Sequence, residues 1–103
     1  MGGVMDSIVV PSATLDTLAT RFPLPDVLKI DVEGAELEVL SASGTVLRQA
    51  RPVILCEVSE AASDGATAIL RSAGYRLFDG EAAEPLAREL SRATWNTIAL
   101  PPT

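Results

Sequence analysis

The stretch "PDVLKIDVEGAELEVL", Pro25 to Leu40, decides how this chain is read. Leu28, Ile30 and Val32 fall on one face of an extended segment and Val27, Lys29 and Asp31 on the other, the alternation of a strand with one packed side and one partly polar side. Gly34 ends that strand by giving the backbone a residue free to turn sharply. From Ala35 onward Leu37, Leu40 and later Leu47 mark one apolar stripe of a helix, which the small residues from Ser41 to Gly44 interrupt or split in two. A strand, a glycine turn and a helix form the opening of a βα unit, and three carboxylates, Asp31, Glu33 and Glu36, crowd the junction.

Working outward, "SIVVP" reads as a short strand ending near Val10, followed by a helix in "SATLDTLATRF" with Ser12 as its N-cap. "FPLPD" is a loop, since two prolines remove amide donors and push their predecessors to extended geometry. "RPVILCEV" is a continuous apolar run of the kind found in a central strand covered on both faces. "SDGATAILRSAGY" is a helix capped by Ser63 or Asp64, with Ala66, Ile69, Leu70 and Ala73 facing inward and Gly74 as its stop. "YRLF" returns as a strand, "DG" turns it, "AEPLARELSRA" is a weak helix or a loop with a helical turn, and "TWNTIALP" alternates as a last strand. The link between the last two strands has about fifteen residues and no strong helix, so they are expected to pair as antiparallel neighbours. The expected fold is α/β, a mostly parallel sheet flanked by helices with an antiparallel C-terminal strand pair, in one domain spanning residues 1–103.

Composition narrows the function. The 103 residues carry 14 acidic and 8 basic side chains, a net charge of −6, with no histidine and a single cysteine. That balance repels phosphate backbones, so nucleic acid is not an expected partner. Without histidine, neither a zinc site nor a Ser-His or Cys-His nucleophile pair can be assembled, and no metal is expected. Cys56, inside an apolar run, reads as a small buried hydrophobe. The apolar runs are too short to span a membrane, and "MGGVMDSIVVP" has no basic region ahead of its apolar part, so a cytoplasmic location and no membrane contact are expected. Apolar residues make up 48% of the chain, an amount that suits a partner chain or second copy covering part of the surface.

In open α/β sheets, ligands collect beyond the carboxyl ends of the strands, where Asp31 and Glu33 stand. Three carboxylates within six residues repel one another, a cost that active sites accept, and they suit orienting a hydroxyl, acting as general base or holding a cation. The alternative is that Glu36 and Glu38 complement the positive end of the helix while Asp31 pairs with Lys29 or caps the turn. Glu57, ending "VILCE", is either a further rim carboxylate or a solvated strand end. Trp95 and Asn96 read as core and turn rather than ligand contacts.

The blocks "VVPSATLDTL", "PDVLKIDVEGAELEVL", "RPVILCEV", "LRSAGYRLF" and "WNTIALP" resemble, in order and spacing from Ile8 to Pro101, the successive C-terminal blocks of the FkbM-type methyltransferase family. "KIDVEGAE" is the most specific of them. The resemblance implies an S-adenosylmethionine-dependent enzyme that methylates a hydroxyl of a small molecule or glycan on a Rossmann-like sheet. Of that sheet this chain would supply the fourth strand at "VLKID", the fifth at "VILCEV" and the final antiparallel pair. It implies Asp31 and Glu33 as the catalytic carboxylates, with Lys29, Gly34, Glu36 and Glu57 as rim or substrate candidates. The family's glycine-rich turn and ribose-binding acid occur nowhere in these residues, so the chain is expected to be the part of the domain that follows the cofactor-binding half. The other reading, of a different class, is a non-catalytic interaction module or inert fragment derived from that fold, with a homodimer or partner chain covering the exposed sheet edge.

Overall fold

The computed structural model describes residues 14–31 and 34–102. The expected strand at Ile8 to Val10 and the Ser12 cap lie outside them. The first described helix, α1 (Leu15–Leu18), is capped by Thr14, whose hydroxyl accepts the Thr17 amide at 3.1 Å. After the proline loop comes β1 (Val27–Ile30), which alternates as its sequence requires, with Ile30 buried and Val27 and Lys29 exposed.

Gly34 makes the expected turn with a φ of +77°, in the left-handed region, although among the described residues a Cβ there would meet nothing within 4 Å. Its place is therefore a matter of backbone strain and not of space. The helical stripe does split, into α2 (Glu36–Ser41) and α3 (Gly44–Gln49), where the buried Ser43 hydroxyl donates to the Val39 carbonyl. Such back-bonding bends or ends a helix. The first-turn amides of α3 are satisfied from a distance: Asp16 on α1 accepts from Thr45 at 3.0 Å and Val46 at 2.9 Å. Burial resists the charge on Asp16, but those amides, aided by the Thr45 hydroxyl and the Arg48 charge, outweigh it and hold the carboxyl below its usual range.

Arg51, with φ +50°, and Pro52 then lead into β2 (Val53–Glu57). A 3-10 turn at Glu60–Ala62 precedes α4 (Ser63–Ser72). Neither Ser63 nor Asp64 caps that helix. Ser63 is its first residue and is buried, with its hydroxyl donating to the Ala93 carbonyl at 2.6 Å. The inward stripe of α4 is as expected, with Ala66 and Leu70 fully buried and Ile69 and Ala73 packed against the core. Gly74 ends the helix at φ +86°.

The remaining strands are β3 (Arg76–Asp79), a two-residue β4 (Glu89–Leu90) after a 3-10 turn at Pro85–Ala87, and β5 (Asn96–Leu100). Of the two expectations for "AEPLARELSRA", a weak helix or a loop with a helical turn, the structure has the second, followed by an unforeseen two-residue strand. The sheet order is β1-β2-β5-β3-β4. β1 and β2 pair in parallel, while β2 with β5, β5 with β3, and β3 with β4 pair antiparallel. The C-terminal antiparallel pair is present, but the expectation of a mostly parallel sheet is corrected. β5 inserts between β2 and β3, so although β1, β2 and β3 run the same way, among the described residues only one neighbouring pair is parallel.

A second correction concerns coverage. Ile30, Ile54, Cys56, Leu77 and Ala99 pack beneath Leu40, Leu47, Ala66 and Leu70 of the helices as one core. Leu55, between Ile54 and Cys56 in β2, points to the other side and is 39% exposed. β2 is central in the sheet yet packed on one face, because α2, α3 and α4 all contribute to the same side. A continuous apolar run does not by itself say which of its two faces is covered.

Candidate functional site

The carboxyl ends of β1 and β2 lie side by side because the parallel register aligns Lys29 with Leu55 and Ile30 with Cys56. Asp31, exposed and directly after β1, therefore comes level with Glu57 at the end of β2. On the antiparallel side Glu57 faces Asn96 and Leu55 faces Ile98. These residues line a groove of about 360 Å³ on the face of the sheet opposite α2, α3 and α4, with Leu55 and Ile98 supplying apolar lining and Lys29, Glu57 and Asn96 the polar groups. Its size falls in the range of small-molecule sites, and apolar walls with a few convergent polar groups are their usual character.

Of the residues singled out in the sequence, Lys29 and Glu57 line this groove, and Asp31 follows β1 directly, exposed and outside the groove's lining. Glu33 lies outside the described residues. Gly34 serves the turn.

Glu36 is not a rim residue. Its side chain is turned inward and only 2% exposed, and Oε1 accepts the Ser59 amide at 3.1 Å. Its own amide, then the amide and hydroxyl of Ser59, hold the carboxyl below its usual range against the opposing effect of burial, with the Gly34 amide adding to them. Oε2 has no hydrogen-bond partner among the described residues. Glu36 thereby ties the turn after β1 to the segment after β2, fixing the two strand ends that carry Asp31 and Glu57. The crowding of carboxylates at 31 and 36 is relieved because one of them leaves the rim. Lys29 and Asp31 form no ion pair with each other among the described residues.

Burial pushes the Cys56 thiol up to about 12, with the charges of Glu36 and Glu57 adding to the effect. It is a buried hydrophobe, as expected, and no nucleophile at neutral pH. Asn96 was passed over in the sequence, and the structure brings it to the groove. Its Nδ2 donates to Glu81 Oε1 at 2.9 Å and its carbonyl accepts the Gly80 amide at 2.7 Å. Only the position of β5 beside β2 reveals this. Trp95 is not core: it is 50% exposed. It lines a separate surface depression with Leu90 and Arg92, and Arg92 is held there by Glu60 at 3.0 Å and Asp64 at 3.2 Å.

In open α/β sheets, ligands collect beyond the carboxyl ends of parallel strands, which is where this groove lies. The chain matches the methyltransferase FkbM domain over residues 2–77, about three-quarters of its length, and it belongs to that family. The matched stretch takes in β1, the Gly34 turn, β2 and α4, and ends within β3. It sits at the front of the chain, so the final block "WNTIALP", which the resemblance had included up to Pro101, lies beyond it. No curated protein and no solved structure matches the chain. Among the described residues no helix is long and apolar enough to cross a membrane, and no three His, Cys, Asp or Glu side chains are grouped to hold a metal ion.

Proposed function

We propose that this chain carries the acceptor side of an S-adenosylmethionine-dependent O-methyltransferase site, acting on a hydroxyl of a small molecule or glycan. The observation that carries the reading is the β1–β2 register, which brings Asp31, the residue after β1, alongside Glu57, a lining residue of the groove, within a chain of the FkbM family. Asp31 and Glu33 would orient the acceptor hydroxyl and take its proton, with Lys29 and Glu57 holding the remainder of the acceptor. The cofactor supplies, when bound, an electrophilic methyl group on a sulfonium cation, which suits an acidic rim. The described residues do not hold the whole of it. They include no glycine-rich turn of the kind that receives its amino-acid end and no acid ending a neighbouring strand for its ribose, so those parts of the site would come from other residues.

An amide-resolved NMR titration with S-adenosylhomocysteine tests this. Weak shifts in the millimolar range are expected, confined to the ends of β1 and β2 around Lys29, Asp31, Gly34, Glu57 and Ser59, and reduced in Asp31→Ala. Shifts centred on the helical side of the sheet, or none at several-fold higher ligand, would overturn the assignment.

A further inference from the structure

Trp95, the chain's single tryptophan, is half-exposed, yet the segment that carries it is tied down on both sides. The Ser63 hydroxyl donates to the Ala93 carbonyl at 2.6 Å, and the Thr67 hydroxyl accepts the Ala93 amide at 2.8 Å. The hydroxyl of the buried Thr97 accepts the Thr94 amide at 2.8 Å and donates to the Thr94 carbonyl at 2.6 Å. The Trp95 carbonyl itself accepts the Val58 amide at 2.9 Å. A ring held outward by a fixed backbone is a platform formed before its ligand arrives, so little ordering entropy is lost on binding.

The depression beside that ring, of about 510 Å³, is also lined by Val58, Leu90, Ser91 and Arg92. Its charge limits what it takes. The two acids that hold Arg92, Glu60 and Asp64, outnumber it in a chain of net charge −6, so the depression does not suit an anion. Both acids are already engaged by the guanidinium, which weakens their pull on a cation. Among the described residues the contact between a cation and a ring is Arg76 over Phe78, so no arginine covers the Trp95 face. What fits is a neutral molecule with an apolar face for the indole and hydroxyls for the remaining Arg92 N–H groups and for Ser91. A sugar ring has both.

We propose that this depression binds a neutral sugar ring stacked on Trp95, and that it continues the groove, so that the acceptor is a glycan of two or more sugars. The inference rests on the acceptor reading above and selects the glycan from its two alternatives. Continuity comes from the register: Glu57 faces Asn96 in the groove, and the next rung, Val58 with Trp95, lines the depression. A sugar chain laid over the carboxyl end of β2 therefore reaches from one to the other. Trp95 stands on the side of β2 that pairs with β5, away from β1.

Because Trp95 is the only indole, its fluorescence and its indole N–H resonance report on this place alone. The test is NMR and fluorescence titration with cellotriose, maltotriose and chitotriose, with a galacturonate trimer as the anionic control. At least one neutral trisaccharide is expected to shift the Trp95 indole resonance with a millimolar dissociation constant, and to move the amides of Arg92, Asn96 and Glu57 with it. Glucose, which fills one position only, and the galacturonate trimer should each bind at least tenfold more weakly. Trp95→Ala should weaken trisaccharide binding at least tenfold and Trp95→Phe should keep most of it, with circular dichroism confirming that both fold. No response to any of the three sugars, equal binding by Trp95→Ala or of the anionic trimer, or shifts at Trp95 that leave Asn96 and Glu57 unmoved would each overturn the inference. An emission shift that follows protein concentration and not sugar would put a protein surface on Trp95 and overturn it as well. Titration of Trp95→Ala with S-adenosylhomocysteine keeps the two readings apart: shifts at Lys29 and Asp31 that persist while no sugar binds the wild-type chain would sink the glycan and leave the methyltransferase reading standing.

Discussion

Truncating Ile54 to alanine is expected to lower the stability of the fold by about 2–5 kcal/mol, the usual cost of removing a large buried aliphatic side chain and leaving a cavity. Ile54 is fully buried, sits in the central strand opposite Leu28 on one side and Ala99 on the other, and lies beneath the helices. A domain of this size is stable by only about 5–15 kcal/mol, so the variant would be close to unfolding at moderate urea. Leu55→Ala is the internal control. It is the next residue in the same strand and of equal apolarity, but it faces the open side and should cost roughly 1 kcal/mol, in proportion to the smaller area it buries. Urea denaturation of the two variants measures the difference directly. Equal costs would mean that both faces of β2 are packed.

Glu36→Ala should cost about 1.5–3 kcal/mol, because the Ser59 amide loses a charged acceptor within a buried site. The loss is tempered by the removal of Oε2, a buried oxygen that has no partner among the described residues. The pH dependence follows from the depressed carboxyl. Its folded value lies below the ordinary 4.5, so the stabilisation is fully present above pH 4.5 and disappears as pH falls through the folded value. Denaturation midpoints of wild type and Glu36→Ala should therefore converge on acidification below pH 4.5. A gap that persists unchanged into strong acid would show that Glu36 acts as a neutral packing group.

The two residues mark where sequence reading succeeded and where it stopped. The alternation at Val27 to Ile30, the turn at Gly34, the helix break between Ser41 and Gly44 and the inward stripe of α4 were all legible, because each depends on residues within one turn or one pleat of each other. The burial of Glu36 was not, since its partner is an amide 23 positions away and a glutamate two residues past a glycine looks like any other first-turn acid. Nor could "VILCE" reveal that its Leu55 face is open, for apolarity records what a side chain tolerates and not what covers it. Asn96 reached the groove, and the sheet lost its mostly parallel character, for one shared reason: β5 slots between β2 and β3, an ordering set by tertiary packing. Trp95 was misplaced by assuming that a large aromatic must be core, although its polar edge allows it to stand half in water.

On the proposed reading, this chain supplies the acceptor-side rim of a methyltransferase site and residues elsewhere make the cofactor's main contacts. Isothermal titration of the folded chain with S-adenosylmethionine addresses that division most directly. The expected result is no binding at micromolar ligand, consistent with an acidic rim that meets one end of the cofactor only. One-to-one binding with a micromolar dissociation constant would contradict it, and would mean that these 103 residues hold a complete cofactor site by a route other than the one described.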